Sequence, residues 1–458
     1  MIPSFLGISF VVFFISTQVP GDPVQLILDR QNSTNTAELN KGVIDKKIAF
    51  IRREFNFNKP LFYFKLTDAS QSDTLYKISD RVFRDNLSSL SFEHGNWEVI
   101  NSYVTSLNKV ISVAYTTEQP EFKSRLLQLT SKLKSTNSTK GLIDQLLFFK
   151  LGKTKEIQAE QALEELESII LKMASSQTRV NWFIPKFIWY GTNNQYHNWI
   201  SGFLSGDFGV SYVDKSPVLE KIINAIGWTL LLSTISIIIS YLLAIPMGVY
   251  LAMYKDSFLA KSITQLLFLL HCIPSFWLAS LLIIFLASPE YFQWFPSYGL
   301  GNFEKSSSWW SSVSTVVPHL FLPLICFSYS SLAYISEQTK RSVIQIKSEN
   351  YIQTAQAKGL KRITIYWKHI LKNTSFTLIT QLGNLIPSMI SGSFVVEYIF
   401  AIPGMGKLLV DSINLRDYPT VFSIVMISAI LVMLGILISE ILYAKFDPRV
   451  KPIESKRT

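Results

Sequence analysis

The sequence predicts an all-α membrane protein with six transmembrane helices and a large helical extracytoplasmic insertion between the first and second. Three observations carry this reading. Hydrophobic residues make up 48% of the 458-residue chain and charged residues only 17%, against about 25% charged in ordinary soluble domains. The charges crowd into residues 24–221 and 337–372. Six long runs elsewhere carry none: 2–21, 222–254, 262–289, 306–336, 373–396 and 418–439. A mean hydropathy of +0.25 with a net charge of +10 excludes a disordered chain. Two cysteines, Cys272 and Cys326, both lie in apolar runs, so a disulfide scaffold is excluded and they read as buried membrane residues.

A helix needs about 20 apolar residues to cross the hydrocarbon core, and a backbone in lipid must satisfy its own hydrogen bonds. Each run meets that length. Residues 1–23 read as the first span. A signal peptide is the alternative, but no small-residue cleavage pattern follows; the chain reads Val19-Pro20-Gly21-Asp22-Pro23. Residues 24–221 form the long link to the second span, with 25 Lys/Arg against 21 Asp/Glu. Its apolar stripes recur at helical spacing around 44–55, 97–113, 121–134 and 159–174, which predicts a mostly helical domain over about 65–190. Residues 222–446 then carry spans two to six, and 447–458 form a tail.

Lys and Arg in short loops set the orientation. Residues 337–372 hold eight of them, among them Lys340, Arg341, Lys347, Lys358 and Lys361, opposed only by Glu337 and Glu349. The link carrying Lys255 and Lys261 and the C-terminal tail fall on the same side in a six-span chain. That side, with both termini, reads as cytoplasmic. Links 290–305 and 401–417 are poor in Lys and Arg and fall outside. Tyr291, Phe292, Trp294, Phe295, Trp309 and Trp310 would mark the outer interface.

No phosphate-cradling loop, H-E-x-x-H, paired-cysteine motif or G-x-S-x-G elbow occurs. No catalytic, cofactor-binding or metal-binding residue is expected, nor a nucleic-acid partner. His271 reads as a packed or pore-lining polar residue. Glu397 and Glu440, near the ends of runs, read as carboxylates reaching the interface rather than as ion-coupling sites. Any uphill transport must therefore draw on a partner or a gradient.

Within the basic loop, Tyr351, Ile352 and Ala355 recur at helical spacing, and Gly359 follows where a positive φ would stop the helix. A second amphipathic helix, about 363–372, leads back to the membrane. Such a helix–Gly–helix element suits either docking in a groove of another protein or lying as a basic helix on anionic lipid. Periodicity leaves both open.

Tyr351-Ile352-Gln353-Thr354-Ala355-Gln356-Ala357-Lys358-Gly359-Leu360 resembles the coupling loop of ABC importer permeases, in their oligopeptide/dipeptide/nickel branch. Four further blocks agree in order: Pro3–Pro23; Glu54–Leu61; Phe203-Leu204-Ser205-Gly206-Asp207-Phe208-Gly209-Val210-Ser211; and Phe400–Leu409 with Arg416-Asp417-Tyr418-Pro419 and Asp447-Pro448-Arg449. The resemblance covers about 1–63 and 196–451.

What the resemblance implies is a type I importer permease in a bacterial inner membrane, multi-pass. Its implied partners are a second permease subunit, two cytoplasmic ABC ATPases and an extracytoplasmic substrate-binding protein. Tyr351, Gln353, Thr354, Ala355, Ala357, Lys358 and Gly359 would couple to an ATPase, with Ala355 packed against it. Pro403, Gly404 and Gly406 would form an outer loop or gate. The implied cargo is a peptide, with nickel or another small solute as the alternative. A secondary transporter and a membrane-anchored receptor are the readings from other classes. Three departures stand out: Gln353 replaces the family's acidic residue, no basic segment precedes the first run, and 65–190 exceeds the usual outer link.

Overall fold

The computed structural model describes residues 2–18, 24, 27–28, 41–72, 74–78, 80–117, 119–150, 157–175, 181, 183–301 and 309–446. The Pro20–Pro23 motif, Trp309's preceding segment 302–308 and the tail 447–458 lie outside the described residues. Two compact units result: Met1–Val19 with Gly206–Thr458, and Pro20–Ser205. The first helix, α1 (Ile2–Gln18), carries no charge and exposes Leu6, Phe10, Phe14 and Ile15.

In the second unit the helices are α2 (Lys41–Glu54), α3 (Arg81–His94), α4 (Trp97–Thr116), α5 (Pro120–Ser135), α6 (Thr139–Lys150), α7 (Ile157–Ser175) and α8 (Gln195–Leu204). Their starts are encoded locally. Asp80 accepts from the Phe83 N–H at 3.1 Å, Asn96 from the Glu98 N–H at 3.1 Å, and Pro120 opens α5 where its missing N–H costs nothing. Gly95 ends α3 at φ +67. The stripe Ile100, Tyr103, Leu107, Val110 of α4 packs on Leu166, Ile170 and Met173 of α7 in one buried core. The Tyr103 hydroxyl donates to the Leu133 carbonyl at 3.3 Å, and burial pushes its pKa up.

Two short strands depart from the all-helical expectation. β1 (Phe64–Asp68) pairs antiparallel with β2 (Pro185–Trp189), Leu66 opposite Phe187. Below the strands Tyr190 N–H bonds the Tyr63 carbonyl at 2.7 Å, and above them Ala69 N–H bonds the Ile184 carbonyl at 2.9 Å. Helices α3 to α7 therefore hang from a two-strand stem whose ends lie side by side.

The first unit continues with α9 (Val218–Met253), α10 (Phe258–Cys272), α11 (Ser275–Leu282), α12 (Trp309–Lys347), α13 (Asn350–Ala357), α14 (Leu371–Ile399), α15 (Met405–Asn414) and α16 (Tyr418–Phe446). Among the described residues, Val218–Met253, Val313–Lys347 and Tyr418–Leu442 are each long and apolar enough to cross a bilayer. The run 262–289 is not one helix: α10 and the segment Ser275–Ala287 meet at a 100° bend. Pro274 lacks the N–H that would continue α10, and it disfavours helical backbone at Ile273.

Apolar attraction cannot hold helices together inside lipid, so close approach must. α9 supplies it with small residues every fourth position: Ala225, Thr229, Ser233, then Ser240, Ala244, Gly248 and Ala252, all buried. At Gly248 an added Cβ would lie 2.6 Å from the Ser336 carbonyl oxygen of α12. α9 packs along α12 and also against α14 and α15, while α1 packs on α16. The Tyr241 hydroxyl of α9 donates to the Leu378 carbonyl of α14 at 2.8 Å.

Candidate functional site

At the C-terminal end of α9, α13 forms a short prong. Gly359 has φ +75, its N–H bonds the Gln356 carbonyl at 2.9 Å, and Leu360 N–H reaches the Ala355 carbonyl at 3.4 Å. That pair of bonds is a Schellman stop, which needs a left-handed residue where Gly359 stands. Beyond it the expected second helix is present but not separate: Arg362–Thr364 and a wide π-helical stretch at Ile365–Ile370 continue without a break into α14.

One face of the prong is occupied. Ile352 and Ala355 are buried with Ala252, Val343, Ile365, Tyr366 and Ile370. Ala355, which the resemblance assigns to an ATPase contact, is buried within this chain, three residues after Ile352 on the same helical face. Gln353, Thr354, Gln356, Ala357, Lys358 and Gly359 are exposed and form the free face. Tyr351 is half exposed and its hydroxyl accepts from Asn373 Nδ2 at 2.9 Å, tying the prong to α14.

At the N-terminal end of α9 the loop 400–404 and α15 form a second constellation. A helix start leaves backbone N–H groups without partners. Thr229 Oγ1 accepts from the Met405 N–H at 2.9 Å, and Glu397 Oε2 from the Gly406 N–H at 2.7 Å. Glu397 is fully buried, so it does not reach for the interface; it is drawn inward to the positive end of α15. Glu440, by contrast, is exposed. Glycine is required by these contacts: a Cβ at Gly404 would overlap the Glu397 carboxyl, and one at Gly406 would overlap the Phe394 backbone. Pro403 is exposed beside them.

Beside this lies a polar anchor. Buried Asp417 accepts from Ser211 Oγ at 2.6 Å, the Tyr212 N–H at 2.8 Å and Thr420 Oγ1 at 2.7 Å. Lys221 bridges it to Asp214, at 3.6 and 2.9 Å. Desolvation alone would raise the Asp214 pKa, but hydrogen bonds from Lys221 and Ser216 hold it well below the usual carboxylate range. Phe208 and Ser211, Met405, Leu408 and Leu409, and Asp417, from three blocks distant in sequence, thus meet beside Val218, Ile222 and Ile424. Thr229, Glu397 and Lys221 were not singled out as site residues by sequence reasoning. The close glycine pair Gly404 and Gly406 is the signal that could have found them.

An apolar helical unit with a prong at one end and an ordered loop at the other is the architecture of a helical membrane protein. Residues 244–452 match the family described as binding-protein-dependent transport system inner membrane component. The oligopeptide transport system permease protein AppB of Bacillus subtilis is 38% identical over 281 residues, covering 60% of this chain and 86% of that one. The dipeptide transport system permease protein DppB of the same organism is 32% identical over 258 residues, covering 56% and 79%. The peptidoglycan transport system permease protein YejB of Agrobacterium fabrum is 33% identical over 247 residues, covering 53% and 68%. The chain belongs to the family of binding-protein-dependent inner-membrane permeases.

Proposed function

We propose that this chain is one of two permease subunits of an ATP-driven importer that carries peptides across a bacterial inner membrane. The observation that carries this reading is the prong: a helix closed by a left-handed glycine, anchored on one face and free on the other, in a chain whose relatives are named for oligopeptide and dipeptide transport. In this reading six helical spans cross the membrane, the bent pair counting as one, with both termini cytoplasmic. The unit on the stem is an extracytoplasmic insertion between spans one and two.

One of two cytoplasmic ATPases would grip Gln353, Thr354, Gln356, Ala357 and Lys358. Closure of the ATPases moves α13, and Ile352 and Ala355 pass that motion to Ala252 of α9, Val343 of α12 and Ile370 before α14. At the far end α9 and α14 hold α15 through Thr229 and Glu397. A lever built this way couples ATP binding to the loop containing Pro403, Gly404 and Gly406, and so shifts the population between inward- and outward-open states. An extracytoplasmic binding protein delivers the peptide, and the domain on the stem is its docking surface.

The test is purification of the tagged chain in detergent, followed by reconstitution of whatever copurifies. An ATPase and a second permease are expected, with peptide uptake that stops when ATP is removed. Uptake that survives ATP removal but collapses with the ion gradient would make this a secondary transporter. Replacing 69–184 by a short linker should weaken the binding protein's affinity; unchanged affinity and uptake would remove the docking role.

A further inference from the structure

The break in the third apolar run has a polar neighbourhood that the coupling mechanism leaves unused. α10 ends at Cys272, and the carbonyl of Ile273 accepts the Tyr329 hydroxyl at 2.5 Å. His271 and Cys272 are exposed at that point. The His271 ring lies against Tyr334, centroids 6.4 Å apart, and its Nδ1 is 3.2 Å from Ser330 Oγ. The Tyr334 hydroxyl donates to Gln381 Oε1 at 2.7 Å. Three elements from three charge-free runs therefore meet in one band of uncharged hydrogen-bonding groups.

The band continues along α12. Ser330, Tyr334, Glu337 and Arg341 fall at successive helical-face positions, a stripe about 17 Å long at the usual rise per residue. Its lower end is paired within itself, Glu337 to Arg341 at 3.1 Å and to Lys340 at 3.5 Å. Facing lipid, the interrupted backbone beside Ser330 and Tyr334 would be costly; non-helical backbone at membrane depth is tolerated where it lines water or is buried in protein.

We propose that His271, Ser330, Tyr334 and Gln381 line the path of the cargo and contact it through its main-chain amides. This rests on the peptide reading above. The four groups each offer a donor or an acceptor and carry no fixed charge, which matches the alternating N–H and C=O of an extended peptide and is indifferent to its side chains. Tyr329 is a positioning residue that holds the break open.

The experiment uses the complete reconstituted complex. In a Cys326→Ala background the natural Cys272 reports on water: a charged methanethiosulfonate should modify it and cut uptake at least tenfold, whereas a cysteine at Leu269, in a Cys272→Ala background, should stay unreactive. His271→Ala and Gln381→Leu should raise the KM for trialanine uptake several-fold and abolish discrimination against its N-methylated analogue. Both variants should copurify with the ATPase as the wild type does, which shows that they assemble. Peptide uptake by the wild-type complex with an unreactive Cys272, or with discrimination intact in both variants, overturns the pathway and leaves the importer reading standing. A reactive Cys272 in a complex that takes up no peptide keeps the aqueous face, overturns the main-chain contact and removes the peptide reading itself.

Discussion

Glu397 Oε2 accepts the backbone N–H of Gly406 at 2.7 Å, so that the last turn of α14 caps the first turn of α15. An alanine at 406 would put its Cβ 2.9 Å from both that oxygen and the Phe394 carbonyl, and backbone cannot yield as a side-chain tip does. Gly406→Ala should destabilise by about 1–3 kcal/mol, the usual cost of overpacking. Glu397→Gln keeps an acceptor for Gly406, whereas Glu397→Ala removes it and should cost about 1–3 kcal/mol through the unsatisfied N–H. Thermal unfolding in detergent, with Gln closer to wild type than Ala, checks both.

Gly248 makes a comparable demand at the α9–α12 contact, with Thr339 and the Ser336 carbonyl against it. Gly248→Leu should drive the two longest helices apart. The expected result is loss of the folded chain from the membrane fraction after mild heating, with Gly248→Ala intermediate. A Gly248→Leu protein as heat-resistant as wild type would contradict the close packing.

At the prong the constraint is conformational instead of spatial. Nothing lies within 4 Å of a Cβ built at Gly359, yet its φ is +75. An L-residue there costs about 1–2 kcal/mol, more if β-branched. Gly359→Asn should retain most uptake, while Gly359→Val should insert, assemble and hydrolyse ATP without moving cargo. Wild-type uptake by an assembled Gly359→Val complex would refute the coupling assignment.

In the helical unit on the stem, buried His94 shares a hydrogen with Thr139 Oγ1. Burial lowers its pKa; Glu93, 3.9 Å away, pulls it back up and does not win. The unfolded chain takes up a proton near pH 6.5 and the folded unit does so only below that. The stability contribution is therefore whole above about pH 6.5 and is lost as pH falls through the window below it. Hydrogen exchange of α3 and α6 amides in the full-length protein should quicken from pH 7.5 to 5.5 once corrected for intrinsic rates, and His94→Gln should flatten that dependence.

Hydropathy found the apolar segments because a missing charge is visible in every window. It could not find the bend at Pro274, since a proline does not interrupt an apolar run even when it interrupts the helix. Glu397 was misread for a related reason: its distance along the chain from a run's end describes depth, whereas its real environment is the start of α15, eight residues later in sequence and folded back on it. Helical spacing identified α13, and Gly359 its stop. Which face of α13 is free depends on Val343 and Ile370, which no local pattern brings to Ala355. β1 alternates as a strand should, Phe64-Lys65-Leu66-Thr67, but β2 runs Phe187-Ile188-Trp189 without alternation, and each strand is short with its partner beyond five helices.

Because Ala69 and Ile184 leave the stem as hydrogen-bonded neighbours, everything between them is topologically a graft at a single point. Such a segment can be gained, lost or traded between lineages without re-registering any neighbouring strand or helix. A fluorescent reporter of similar span between its ends would slot into the same position.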